Sequence, residues 1–117
     1  MNGEFSITTK PATDDITEVN VKGYLDAHTF EEMEKTIGEL YDNGNYKLII
    51  VLSDVPYISS AGAGVFIWAI GKAQDQGGNI VLVNPTPNVK EVFDLLGLTQ
   101  IFTFTGTIDS AIKVFNE

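Results

Sequence analysis

The segment KLIIVLSDVPYISSAGAGVFIWAIGKAQDQ, residues 47–76, decides how the chain folds. Its first six residues, KLIIVL at 47–52, form a short, nearly unbroken apolar run rich in β-branched side chains. Such a run reads as a strand buried on both faces of a sheet, because a half-wet strand would alternate with polar residues. A turn with Asp54 and Pro56 follows, then Tyr57-Ile58-Ser59-Ser60. Beyond it, Ala61, Val65, Phe66, Trp68, Ala69, Ile70 and Ala73 have the spacing of a helix. The chain thus passes from a buried strand through two serines into a helix. In open α/β sheets, working residues collect at that junction of strand carboxyl end and helix amino end.

Working outward, FSITTK at 5–10 reads as an edge strand with Phe5 and Ile7 on one face. PATDD at 11–15 is a turn, and residues 16–21 alternate with period 2, which predicts a hairpin. Phe30, Met33, Ile37, Leu40 and Tyr41 then predict an amphipathic helix over 27–43. Asp26 is a candidate N-cap for it, or Thr29 followed by Glu32 forms a capping box, and Gly44 stops it. After Gly77-Gly78 come an apolar strand at 80–83, a break at Asn84-Pro85-Thr86-Pro87, and a short helix over 88–96. A last strand is expected at 101–104 and a final helix over 107–115, with Ile108, Ala111, Ile112 and Phe115 facing in. The expected fold class is α/β: one domain over residues 1–117, an N-terminal hairpin followed by alternating helix and strand. About five strands would form a mixed sheet with about four covering helices.

Length suffices for a core without metal or disulfide staples, and the chain has no cysteine for either. Neither a basic-then-apolar leader nor an apolar run of the roughly 20 residues that span a bilayer is present, so a soluble cytoplasmic protein is expected. Sixteen acidic and seven basic residues give a formal charge of -9 with no basic run. Nucleic acid and anionic membrane surfaces are therefore poor partners, and a positively charged protein surface suits better. The state expected is monomer or weak dimer.

Ala61-Gly62-Ala63-Gly64 resembles a phosphate-binding loop only superficially, since GxxxxGK(S/T) is absent and the first lysine of the helix is Lys72. Gly62 and Gly64 instead allow close approach of the helix to the sheet, or of something else to the helix. Ser59 or Ser60 as a nucleophile needs a base, the only histidine is His28, and no GxSxG elbow surrounds the serines. Asp26, Asp54, Asp75 and Asp94 sit apart from one another. No catalytic set assembles, and no enzyme activity, cofactor or metal is expected. A serine at a helix start has two other uses. It caps the helix, or it carries a phosphate held by the orphan N–H groups, which adds about two negative charges. The helix is more apolar than one buried stripe requires, so either Phe66 or Trp68 with Ala63 and Ile70 forms a candidate partner surface, or the helix is central and well covered.

The run from Ser53 to Phe102, with Gly23-Tyr24-Leu25-Asp26 and Thr29 matching G-x-L-D-x-x-T, resembles the sulfate-transporter and anti-sigma-factor-antagonist (STAS) family in its stand-alone bacterial form. The resemblance implies a mixed five-stranded sheet, no catalysis, and a protein partner: an ATP-binding serine kinase that also serves as an anti-sigma factor. In that family the unphosphorylated antagonist binds the kinase and frees the sigma factor, serine phosphorylation at the central helix start ends the binding, and a phosphatase restores it. The well-studied form reads D-S-S-G-L-G with the second serine modified. Aligned on the glycines, that serine falls on Ala61, while a second branch resembling S-S-A-G-L-R keeps the serine pair. Ser60 is then the first candidate acceptor and Ser59 the second. The partner surface the resemblance implies comprises Asp26, Thr29, Tyr57, Ser59, Ser60, Ala61, Gly62, Ala63 and Phe66. The alternative is a STAS scaffold in another signalling assembly, without phosphorylation.

Overall fold

The computed structural model describes residues 4–117, so the first three residues of the span read as one domain lie outside the described residues. Five strands form a single sheet in sequence order: β1 (Ser6–Pro11), β2 (Thr17–Lys22), β3 (Lys47–Asp54), β4 (Asn79–Val83) and β5 (Thr103–Thr105). The first pair is antiparallel, the expected hairpin, and β2 through β5 run parallel. Four helices accompany them: α1 (Phe30–Asp42), α2 (Ser60–Asp75), α3 (Pro87–Leu95) and α4 (Ile108–Phe115), with a 3₁₀ turn at Leu98–Gln100.

Successive side chains of a strand point to opposite faces, so the central strands must fill two cores. They do. Leu48, Ile50 and Leu52 of β3 and Ile80 and Leu82 of β4 join Val19 and Val21 under α1, α2 and α3. Their alternates Ile49, Val81 and Val83 meet α4 through Ala111, with Val51, Ile108, Ile112 and Phe115 packed against that second cluster. The unbroken apolar run at 47–52 is thereby accounted for. β1 has no strand beyond it, and its residues are exposed except for half-buried Ile7, consistent with a wet edge.

α2 lies over the sheet between α1 and α3. Across the α3 side, Phe66, Phe93 and Phe102 form an edge-to-face cluster with centroids 5.5–6.3 Å apart. On the α1 side the buried Tyr41 stacks on Tyr46 and donates its hydroxyl to the Ala69 carbonyl at 2.7 Å. Burial, with Tyr46 beside it, holds the Tyr41 phenol well above its ordinary pKa, so it stays a donor. α2 ends as its glycines require: Gly77 takes φ +79°, Gly77 N–H donates to Gln74 O at 3.1 Å and Gly78 N–H to Ala73 O at 2.7 Å. That is a Schellman closure.

Several boundaries differ from expectation. α1 starts at Phe30 rather than 27, because residues 26–29 make a turn of their own. The last strand is Thr103–Thr105 rather than 101–104, since Ile101 closes the 3₁₀ turn and is half exposed. α4 is capped by Thr107, whose hydroxyl accepts the Ser110 N–H at 3.1 Å.

A side chain at Gly78 would collide with the backbone of Tyr46, whereas one at Gly38, within α1, would meet nothing within 4 Å. Gly78→Ala is therefore expected to lose about 1–3 kcal/mol by overpacking, and Gly38→Ala to gain up to about 1 kcal/mol of helix propensity. Urea unfolding of the two variants beside the wild type checks both signs.

Candidate functional site

Because β2, β3 and β4 are parallel, the loops that follow them emerge together at the carboxyl ends of the strands. The first of these loops carries the G-x-L-D-x-x-T residues. Leu25 is fully buried and pairs with Ile58 in a parallel bridge. Its N–H donates to Tyr57 O at 3.1 Å, and its carbonyl accepts the Ser59 N–H at 3.0 Å. Asp26 and Thr29 hold this loop in place. The Asp26 carboxylate accepts the His28 N–H at 2.9 Å. The Thr29 hydroxyl accepts the Asp26 N–H at 2.9 Å and donates to Tyr24 O at 2.8 Å. The Thr29 side chain therefore makes no cap bond to α1, and the capping box with Glu32 does not form.

The third loop braces the second from the other side. Thr86 donates its hydroxyl to Val55 O at 2.7 Å, and Asn88 accepts the Ile58 N–H at 3.3 Å. Neither residue was legible as a support, since Asn84-Pro85-Thr86-Pro87 reads only as a chain break and Asn88 as the start of a helix.

The two serines have different surroundings. Ser59 is half-buried and is the N-cap of α2, with its hydroxyl accepting the Gly62 N–H at 3.2 Å. Ser60 is the first residue of the helix and exposed, and among the described residues no group bonds its hydroxyl. Ala61 beside it is exposed as well. The N–H groups of Ser60 and Ala61 face outward from the helix's positive end without intrahelical partners. Gly62 is buried, and a Cβ there would lie 2.5 Å from the Leu25 carbonyl oxygen. That close approach is what glycine at 62 permits.

Three residues expected at the partner surface stand elsewhere. Ala63 and Phe66 are wholly buried and Gly62 is buried too, and Ile70, expected exposed with them, is 4% accessible. The sheet beneath α2 and the flanking α1 and α3 cover it on three sides, which absorbs the surplus of apolar residues. Trp68 is half-buried against Tyr41, with centroids 6.1 Å apart. The large apolar side chain that α2 does expose is Ile67, at 48%, which the spacing had not singled out. Tyr57 is exposed at 42% and leans on Tyr24, a neighbour hidden in the variable position of its motif. Among the described residues, no cluster of three or more His, Cys, Asp or Glu has metal-site geometry, and no helix is long and apolar enough to cross a membrane.

The model of the STAS domain family matches residues 8–111. The chain belongs to the STAS domain family. STAS domains of this kind are regulatory modules without catalytic activity, and the five-stranded sheet with four helices is their topology. Among curated relatives, this STAS chain is 28% identical to the anti-sigma-B factor antagonist of Bacillus subtilis over 96 residues, covering 82% of this chain and 87% of that one. In structure it resembles an anti-sigma factor antagonist from Mycobacterium paratuberculosis, with TM-score 0.87, 24% identity, and coverage of 97% of this chain and 96% of the other. It also resembles the Bacillus protein SpoIIAA. The unphosphorylated form of that antagonist gives TM-score 0.80 at 21% identity, covering 95% and 96%. Its phosphorylated form gives 0.73 at 22%, covering 92% and 97%.

The division of labour between the serines has a measurable consequence. Ser59→Ala removes the cap acceptor and is expected to cost about 1 kcal/mol of stability. Ser60→Ala removes an exposed hydroxyl and is expected to change stability by less than about 0.5 kcal/mol. Thermal or urea unfolding of both variants tests the assignment.

Proposed function

We propose that this STAS domain is an anti-sigma factor antagonist. It binds a serine-kinase anti-sigma factor through the start of α2 and so releases a sigma factor, and phosphorylation of Ser60 by that kinase ends the complex. A serine phosphatase restores it. Family membership and the likeness to anti-sigma factor antagonists support the general partner-switching role. The observation that carries the assignment to Ser60 is the contrast in hydroxyl environment. Ser59 has its oxygen committed to the Gly62 N–H and its own N–H to the Leu25 carbonyl. A phosphate on Ser59 would fall on the half-buried oxygen that caps Gly62. Ser60 offers an uncommitted, exposed oxygen one residue later.

A phosphate on Ser60 acts through charge. It adds about two negative charges and three strong acceptors to the site. The unpaired N–H groups at the start of α2 and the helix dipole hold it there with little rearrangement. For a chain already at -9, a partner surface matched to the unmodified site is basic or apolar, and a dianion at the contact disrupts the apolar part by its desolvation cost. Ala61, where the D-S-S-G-L-G form has its modified serine, leaves Ser60 as the exposed hydroxyl of the pair.

Incubation with the serine-kinase anti-sigma factors of the source genome and ATP is expected to add one phosphate to peptide 48–72, which trypsin releases whole. Fragmentation is expected to locate it on Ser60, and Ser60→Ala to abolish it. A phosphate on Ser59 would overturn the assignment. No phosphate from any kinase active on another substrate would overturn the switch and favour a STAS scaffold.

A further inference from the structure

Of the chain's four tyrosines, seven phenylalanines and one tryptophan, only Tyr24 and Tyr57 are exposed, at 36% and 42%. Every other ring is buried or packed partly against one of the two cores. The exposed pair is built with the same care as the buried ones. The ring centroids are 5.9 Å apart with planes at 59°. Their backbones are tied by the bond from Leu25 N–H to Tyr57 O and by the bridge between Leu25 and Ile58. The Thr29 hydroxyl fixes the Tyr24 carbonyl, and Asn88 fixes Ile58 beside Tyr57. Two large amphipathic rings are thus held at the surface by braced loops, next to the start of α2.

Exposed aromatic rings that are already ordered bind partners cheaply, because the rotamer entropy is lost on folding rather than on association. Tyrosine is among the residues enriched where binding energy concentrates. The pair also adjoins the proposed contact. Tyr57 precedes Ser60 by three residues, and Tyr24 lies on the segment whose next residue, Leu25, accepts the Ser59 N–H. We infer that Tyr24 and Tyr57 together form the aromatic anchor of the surface that receives the serine-kinase anti-sigma factor, with Ser60 at its margin. This rests on the antagonist reading above and names the side chains that give that contact its affinity. Phosphate on Ser60 then sets a dianion beside a patch that must lose its water on binding, and a partner that covers the rings has to desolvate part of that charge as well.

Isothermal titration against each purified serine-kinase anti-sigma factor of the source genome tests the anchor, using wild type, Tyr24→Ala, Tyr57→Ala and the double variant. Each single substitution is expected to weaken the complex about thirtyfold, the loss typical of an interface hot spot. The double variant is expected to lose less than the product of the two, because the rings share one contact. Melting temperatures are expected near that of the wild type, as for other surface substitutions. Where alanine lowers the melting temperature, Tyr24→Leu and Tyr57→Leu keep bulk in the loop and remove the ring, and they are expected to show the same loss. Wild-type affinity in the alanine or leucine variants overturns the anchor and leaves the antagonist reading standing. Wild type that binds none of the kinases overturns both.

Discussion

Leu25 is wholly buried, and its carbonyl accepts the Ser59 N–H at 3.0 Å while occupying the space that any side chain at residue 62 would need. That contact joins the loop after β2 to the first turn of α2, and it fixes where the helix begins. With the Ser59 N–H committed, the Ser59 hydroxyl falls in place to cap Gly62, and Ser60 becomes the first helical residue with its side chain outward. Asp26 and Thr29 keep Leu25 in position from one side, while Thr86 and Asn88 hold the Val55–Ile58 segment from the other. Three loops from parallel strands converge on two serines, and the geometry of the pair follows from backbone bonds.

This construction places a capping hydroxyl and an unengaged, exposed one at adjacent residues. Ser59 serves the fold, as the cap whose loss is felt by the whole helix. The Ser60 hydroxyl makes no bond among the described residues, so its modification is expected to leave the fold intact. A regulatory phosphate is best placed on such a rigid, fully braced platform, because its charge is then presented to the partner and not absorbed by local rearrangement. Exposed Ala61 and Ile67, and the ordered tyrosines, surround the site with apolar surface that a protein partner can cover.

Much of this was legible in residues 47–78. The unbroken run at 47–52 required a strand between two cores, and Gly77-Gly78 marked the helix stop, because both are local consequences of burial and backbone conformation. Family motifs identified the loop at 23–29 and the serine pair. What the sequence hid was tertiary. Ala63, Phe66 and Ile70 read as surplus apolar surface, and only the placement of α1 and α3 on either side of α2 shows where that surplus goes. Thr29 had the spacing of a cap yet serves a loop, since its hydroxyl finds Asp26 and Tyr24 first. Tyr24 sits at the variable position of its motif, and its ring contact with Tyr57 joins residues 33 positions apart.

The central claim is that charge at Ser60, on an otherwise unchanged fold, decides whether the partner binds. The direct measurement is the affinity for the serine-kinase anti-sigma factor of protein made with phosphoserine at position 60, compared with unmodified protein, with circular dichroism on both. The account predicts superimposable spectra and a complex weakened about a hundredfold or more, the size expected when an uncompensated charge is brought to an interface. Equal affinity for the two forms would contradict it.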